Sequence, residues 1–158
     1  MSEWGSRMSK ELTENFVNAL SDLETGGDVE VMVPLFAGNS EIGNTALKDT
    51  LKGTDGVRGF WTNYRGTFAK LESTFRNRIV SDGTSALEWE TTGRSADGEE
   101  IRYKGVSVFE HDGEKITRFF AYFDPADLGK QITGDKDGKG SEEESSKEGL
   151  EGRKGATG

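Results

Sequence analysis

The carboxylates with the most suggestive spacing in this sequence are Glu88 and Glu90. Two neighbouring carboxylates can divide general-acid and general-base roles between them. Residues 85–93 alternate between apolar and polar types, which is typical of a strand with two unlike faces. Glu88 and Glu90 therefore share the face opposite to Trp89. This arrangement favours solvated or dimer-face carboxylates over a catalytic pair.

Metal and thiol chemistry have little support in the sequence. His111 is the only histidine, and it lies beside the turn Asp112-Gly113, where we expect an exposed side chain. One histidine cannot build a His-rich metal site. The sequence contains no cysteine, which excludes disulfides, thiolate catalysis and Cys-ligated metals. We therefore expect no metal and no other cofactor.

The charge balance argues against nucleic acid as a partner. The net charge is −9 with a sequence pI of about 4.7, and no stripe of Lys and Arg with interleaved aromatics occurs. The segment Met1–Lys10 has no apolar run, and no stretch of about 18 apolar residues occurs anywhere. We therefore expect no membrane partner and a location in the cytoplasm.

The first half of the chain has the periodicity of helices. Apolar residues at three- and four-residue spacing predict a helix from about Lys10 to Glu24. Asp28 is expected to cap a second short helix, and an extended piece follows around residues 40–44. A third helix is predicted to begin at Thr54 and to carry a stripe of apolar, mostly aromatic residues. That stripe comprises Val57, Phe60, Trp61, Tyr64 and Phe68.

The second half changes to the periodicity of strands. Strands are predicted over residues 70–80, 85–93, 101–110 and 115–123, and each connecting turn contains a glycine. A short helix to Ile132 follows the last strand. Helices followed by a four-stranded antiparallel meander indicate an α+β fold with the helices on one face of the sheet.

One folded domain is expected, at residues 10–132. Residues 1–9 precede the first predicted helix and are expected to be flexible. Residues 133–158 consist mainly of Gly, Ser, Lys, Glu and Asp and contain no aromatic side chain. Because such a segment has almost nothing to bury, we expect a disordered acidic tail.

Several stretches of the chain resemble the nuclear transport factor two-like superfamily, and within it the SnoaL-like and ketosteroid isomerase-like group. They are Leu35-Phe36-Ala37, Gly53-Thr54 with Val57-Arg58 and Phe60-Trp61, Gly105-Val106-Ser107-Val108-Phe109 with Lys115-Ile116, and Tyr122-Phe123-Asp124-Pro125. The resemblance covers about residues 10–132. It implies a cone in which N-terminal helices pack on a curved antiparallel sheet and enclose a pocket, with the short strand near residues 40–44 at the sheet edge.

The resemblance also indicates where the catalytic groups of an isomerase would lie. A ketosteroid isomerase uses an Asp base, together with a Tyr and a protonated Asp that donate to the oxyanion. These positions correspond to Asn44, Phe16 and Val106. None of these residues can serve as the base or as an oxyanion donor of the isomerase, because Phe and Val carry no acidic proton and Asn is not a base near neutral pH. The acid/base Asp of the cyclases corresponds to Ala121, and the Arg flanked by two Asp of limonene-epoxide hydrolases is not found.

The pocket implied by the resemblance is mainly apolar and of small-molecule size. Its implied wall comprises Phe16, Asn44, Phe60, Trp61, Tyr64, Leu87, Trp89, Val106, Val108, Phe119 and Ala121. Asn44 and Tyr64 are the candidates for a catalytic or polar role. Asn44 equally fits a turn residue that bonds its own backbone, whereas the spacing of Tyr64 is more typical of a core aromatic.

Two functions remain open at this point. The missing carboxylates favour a ligand-binding or dimerisation module whose partner is a small hydrophobic molecule. The alternative is a cofactor-free isomerase, cyclase or hydrolase acting on such a molecule. A homodimer is expected through the outer sheet face. The residues expected on that face are Glu88, Glu90, Ser107, Phe109 and Phe120.

Overall fold

The computed structural model describes residues 3–133, which form three α-helices, two single-turn 3-10 helices and six strands. The α-helices are α1 (Glu3–Gly26), α2 (Gly53–Gly66) and α3 (Pro125–Thr133), and the 3-10 helices are Val29–Val31 and Val33–Leu35. The strands are β1 (Phe36–Asn44), β2 (Leu51–Lys52), β3 (Phe68–Ser81), β4 (Thr84–Ser95), β5 (Glu100–His111) and β6 (Ile116–Phe123). The predicted α+β class and the order of elements are confirmed.

The six strands form one sheet in the order β2-β1-β6-β5-β4-β3. All neighbours are antiparallel except β1 and β6, which run parallel, so the sheet is mixed and the wholly antiparallel prediction is corrected. The short strand was also expected at the edge. The edge next to β1 is instead formed by β2, a two-residue strand that pairs with Glu41 and Ile42.

The meander from β3 to β6 turns at three glycines. Gly83, Gly98 and Gly113 have φ of 78°, 89° and 105°, a conformation that other residues rarely adopt. The β3–β4 ladder contains two register shifts, after Phe68 and after Phe75. Such bulges bend a strand and increase its twist. The long β3 and β4 strands can therefore curve around the helices.

The helix α1 begins at Glu3, earlier than the periodicity predicts, so residues 3–9, which were expected to be flexible, are helical. Ser9 is buried, and its hydroxyl accepts a hydrogen bond from Gly83 N and contacts His111 Nε2 at 2.5 Å. His111 is therefore half-buried against α1, which corrects the exposed position expected from its turn. The hydroxyl of Ser9 therefore connects α1 by hydrogen bonds to the turns at Gly83 and at His111.

The strand β5 presents its other face to the core from the one expected. Ser107 and Phe109 are 5% and 0% exposed, whereas Val106 is 38% exposed and Val108 is half-buried on the opposite face. Ser107 and Phe109 are therefore removed from the predicted outer surface, and both valines are removed from the predicted pocket wall. The sequence offers apolar residues on both faces here, so alternation alone does not fix which face is buried.

The predicted acidic tail, residues 133–158, lies outside the described residues except for Thr133, where α3 ends. No helix in the described range is long and apolar enough to cross a membrane. Over the same range, no group of three or more His, Cys, Asp or Glu side chains is placed to hold a metal ion.

Candidate ligand cavity

Inward-facing residues of the sheet form rows that run across the strands. One row contains Asn44, Ala121, Ser107 and Leu87, the next contains Phe123, Gly105, Trp89 and Phe75, and a third contains Tyr103, Thr91 and Ser73. The helices α1 and α2 lie opposite these rows. Between them is a cavity that is partly open to solvent.

Most of the predicted wall is brought together at this cavity. The predicted residues that line it are Phe16, Asn44, Phe60, Trp61, Tyr64, Trp89, Phe119 and Ala121. Leu87 is buried in the core and does not line the cavity, and Val106 and Val108 face away from it. Several lining residues on β3, β5 and β6 were not predicted from the sequence. They include Ser73, Phe75, Tyr103, Ser107 and Phe123.

Two aromatic groups shape the cavity. In the first, Phe119 contacts Phe16 and Trp61, with ring centroids 5.4 Å apart in each pair. In the second, Tyr103 contacts Trp89 at 5.3 Å and Phe123 at 5.4 Å. Such tilted and edge-on contacts are favourable for aromatic rings. The two groups leave the smaller side chains of the sheet rows to border the space between them.

Asn44 both lines the cavity and bonds the turn that follows β1. Its side chain lines the cavity, and its Oδ1 accepts hydrogen bonds from Ala46 N at 2.9 Å and Leu47 N at 3.1 Å. A base at this position would need a free carboxylate oxygen, but here the carbonyl oxygen already binds the turn after β1. Asn44 therefore holds the local backbone at one end of the cavity.

A buried carboxylate lies directly behind the cavity wall, at Glu24 near the end of α1. Its Oε2 accepts from Tyr64 Oη at 2.7 Å and from Ser73 Oγ at 2.6 Å, and its Oε1 accepts from Ser73 N at 2.9 Å. Ser73 Oγ also lies 2.7 Å from Thr91 Oγ1. We call Glu24, Tyr64, Ser73 and Thr91 the Glu24 cluster. Tyr64, Ser73 and Thr91 line the cavity, and Glu24 supports them from behind.

The sequence did contain a signal for Glu24. Phe16, Leu20 and Glu24 follow one another at four-residue spacing, which places all three on the same face of α1. A charged residue that continues an apolar stripe is expected to be buried with partners. Its partners come from β3 and α2, which the spacing within α1 could not identify.

Tyr64, which belongs to the Glu24 cluster, and Tyr103, which lines the cavity, both remain neutral phenols. Burial raises the pKa of Tyr64 well above its usual value of 10, and the negative charge of nearby Glu24 adds to the effect. Burial raises the pKa of Tyr103 as well, again with a contribution from Glu24. Tyr64 therefore acts toward Glu24 as a hydrogen-bond donor, and a tyrosinate is disfavoured at neutral pH.

Two indole groups are part of the cavity wall. Trp89 Nε1 donates to Ser107 Oγ at 2.9 Å, a bond between neighbouring strands that fixes the tryptophan ring. Trp61 is 3% exposed, and its Nε1 has no hydrogen-bond partner within the described range. The lining of the cavity contains no Asp, Glu, His, Lys or Arg side chain from the described residues.

Solved structures with the same fold support the architecture. An LEH-like epoxide hydrolase from M. tuberculosis is 17% identical, with a TM-score of 0.64, over 82% of this chain and 92% of that chain. A Jannaschia protein assigned as a SnoaL-like polyketide cyclase is 14% identical, with a TM-score of 0.70, over 84% and 97%. A Catenulispora acidiphila protein with a ketosteroid isomerase-like fold, in complex with trimethylamine, is 18% identical, with a TM-score of 0.66, over 75% and 92%. No curated protein matches the sequence.

A helical layer on an open curved sheet, with a cavity between them, defines the class of nuclear transport factor two-like proteins. Within this class, the model of the SnoaL-like domain family matches residues 14–119. The chain therefore belongs to the SnoaL-like domain family. Of the three residues that the resemblance placed at isomerase catalytic positions, Phe16 and Asn44 line the cavity and Val106 does not.

Proposed function

We propose that this SnoaL-like domain binds a small, mainly apolar molecule in its cavity and does not act on it by carboxylate catalysis. The observation that carries this proposal is the lining: aromatic and aliphatic side chains with a few hydroxyls, and no charged group among the described residues. Binding sites for small molecules have this composition. The nearest carboxylate, Glu24, already accepts three hydrogen bonds from the protein.

A cofactor-free isomerase, cyclase or hydrolase is the second candidate. The observation in its favour is the bond between Glu24 and Tyr64, because Tyr64 lines the cavity and could pass a proton between a substrate and a buried carboxylate. The raised pKa of Tyr64 argues against it, since a phenol that holds its proton so strongly is a poor acid at neutral pH. Binding is therefore preferred.

Filling the cavity separates binding there from binding elsewhere. Ala121 lines the cavity, and Ala121→Leu should abolish the rise in melting temperature caused by small aromatic compounds such as naphthalene. Ala126→Leu makes the same change at an exposed position of α3, away from the cavity lining, and is the matched control. Equal thermal shifts in the wild type and in Ala121→Leu would contradict binding in the cavity. Chemical conversion of a bound compound, lost in Glu24→Gln, would favour the enzyme.

Two further parts of the proposal concern context. We propose a homodimer formed through the outer sheet face, with the partner surface centred on Val106 and Tyr122, both of which are exposed apolar side chains. We also propose that the protein acts in the cytoplasm, which fractionation of cells that express a tagged chain would test.

A further inference from the structure

Glu24 is a buried anion that forms no ion pair with any of the described residues. Its side chain is 5% exposed, whereas the ion pairs of the described residues join other, more exposed carboxylates to Lys or Arg. Arg65 is on the same helix as Tyr64, but its Nη1 donates to the backbone oxygen of Phe68 and it forms no ion pair with Glu24. Removing a carboxylate from water without a counter-charge is costly.

The position of Glu24 near the C-terminus of α1 makes the electrostatic potential around its carboxylate more negative. The helix ends at Gly26, so Glu24 lies in its last turn, and no basic residue is present in that turn. The carbonyl groups at the C-terminus of a helix carry a partial negative charge, so a carboxylate there is unfavourable. Hydrogen bonds from the protein reduce the cost of burying Glu24 but supply no positive charge.

The hydrogen bonds of the Glu24 cluster also fix what it can offer to a ligand. Tyr64 and Ser73 each donate their hydroxyl hydrogen to Glu24. Since the hydrogen of Ser73 is used in this way, Thr91 must be the donor in the Thr91–Ser73 pair. Every hydroxyl hydrogen of the cluster is therefore engaged within it. The three oxygens can offer only lone pairs to the cavity, so this part of the wall accepts hydrogen bonds.

The remaining walls near the cluster are aromatic. Tyr64 lies 5.5 Å from Trp61 and 6.2 Å from Phe68, and Phe68 stacks on Tyr103 at 6.2 Å, with all distances between ring centroids. The faces of aromatic rings attract cations, most strongly where water is excluded. The cavity therefore combines a negative charge behind its wall, hydrogen-bond acceptors on its surface and aromatic rings around it.

We propose that the preferred ligand is a protonated amine with an apolar body, and that its ammonium group binds beside Ser73 and Thr91 with Glu24 as the counter-charge. An ammonium group donates hydrogen bonds and accepts none, which matches acceptors that have no hydrogen left to give. The apolar body occupies the space bordered by Trp89 and Ala121. This inference rests on the proposed binding function, and it assigns the chemical class of the ligand.

Three compounds of the same size test the assignment: benzylamine, benzyl alcohol and toluene. We expect the wild-type protein at neutral pH to bind benzylamine at least about tenfold more tightly than benzyl alcohol in calorimetric titration. Glu24→Gln keeps the shape of the side chain and removes its charge, and should reduce the preference to within about twofold. Glu11→Gln removes an exposed charge from the same helix and should keep the preference.

The outcomes separate this inference from the binding proposal. If benzyl alcohol or toluene binds the wild type as tightly as benzylamine, the amine assignment is overturned and the binding proposal stands. If none of the three compounds binds, both are overturned. A preference for benzylamine that persists in Glu24→Gln would also overturn the assignment, because the charge would then not be its source. The comparison of the three compounds on the wild-type protein does not require any variant to be well folded.

Discussion

At the scale of single residues, the cost of burying Glu24 explains the composition of the wall around it. A buried carboxylate must be hydrogen-bonded, and bonds to charged groups contribute about 1.5–3 kcal/mol each. Ser73 provides two of the three donors, one from its backbone and one from its side chain, and Tyr64 provides the third. The hydroxyls of the cavity wall are therefore needed for stability as well as being available to a ligand.

The orientation of β5 gives a prediction for two neighbouring residues. Ser107 is buried and accepts from Trp89, so Ser107→Asp should lower the free energy of unfolding by about 1–3 kcal/mol or more. Val106 lies on the open face, so Val106→Asp should lower it by less, about 0.2–1 kcal/mol, because the new carboxylate lies opposite Glu88. Urea unfolding of dilute, monomeric protein measures both values. Equal losses would place Val106 inside the core and contradict the orientation of β5.

The candidate site was predictable from the sequence where periodicity is unambiguous. Phe60, Trp61 and Tyr64 were assigned by helical spacing, and Trp89 by strict alternation, because polar residues occupy the other face of each element. The assignment failed at Val106 because β5 carries apolar residues on both faces. In that case the buried face is selected by pairing with β4 and β6, which is a tertiary effect.

At the scale of elements, the cavity wall depends on close contact between β4 and β5. Trp89 is paired with Gly105, and a Cβ built on Gly105 would lie 2.8 Å from Trp89 Cζ2 and would clash with the backbone oxygen of Tyr122. The absence of a side chain at Gly105 therefore lets the indole ring lie across β5, where Trp89 Nε1 reaches Ser107.

Substituting this glycine should damage the wall. We expect Gly105→Ala to lower the free energy of unfolding by about 1–3 kcal/mol, because the backbone oxygen of Tyr122 cannot move aside cheaply. The matched control is Gly59→Ala in α2, which meets no atom within 4 Å and should instead stabilise the protein by about 0.5–1 kcal/mol. Thermal unfolding distinguishes the loss of stability expected for Gly105→Ala from the gain expected for Gly59→Ala. A stable Gly105→Ala variant with unchanged tryptophan fluorescence would refute the close contact.

The contact between α1 and the turns of the sheet should depend on pH. His111 Nδ1 accepts from Gly113 N, so the neutral ring carries its hydrogen on Nε2 and donates it to Ser9. Burial lowers the pKa of His111 in the folded state, and Asp112 opposes this in part. Protonation would also place a hydrogen on Nδ1, where it would face the N–H of Gly113.

The sign of the pH effect follows from the lowered pKa. The unfolded chain binds a proton to His111 near about pH 6.5, before the folded protein does, so stability falls as the pH drops below that value. The full contribution is present above it. We expect His111→Gln to lose less stability than the wild type between about pH 7.5 and about pH 5.5. If urea unfolding shows that the wild type and His111→Gln lose the same stability over this pH range, His111 does not titrate in this way.

At the scale of the whole molecule, the sheet has one face covered by helices and one face that residues 3–133 leave open. The order of helices and strands was predictable because each element carries its own period and each turn its own glycine. The parallel pairing of β1 with β6 was not, because four strands and a helix separate them along the chain. Contacts at such separation depend on how the whole sheet closes over α1 and α2, and local patterns do not encode them.

The open face leads to the prediction of a homodimer. Val106 and Tyr122 lie opposite each other in neighbouring strands and are 38% and 47% exposed, and Phe120 packs against Tyr122 at 4.7 Å between ring centroids. Arg102 pairs with Glu90 beside them and supplies a polar border. An apolar centre with a charged rim is the composition of an association surface.

A single charge at the centre of this surface should separate the subunits without unfolding them. We expect light scattering at micromolar concentration to give the mass of a dimer for the wild type and of a monomer for Tyr122→Glu, because the new carboxylates would be buried without a partner. Leu51→Glu is the matched control: Leu51 is also exposed, but it lies on the edge strand β2, away from the open face, and its variant should remain dimeric. A monomeric wild type, or dissociation caused equally by Leu51→Glu, would count against this interface.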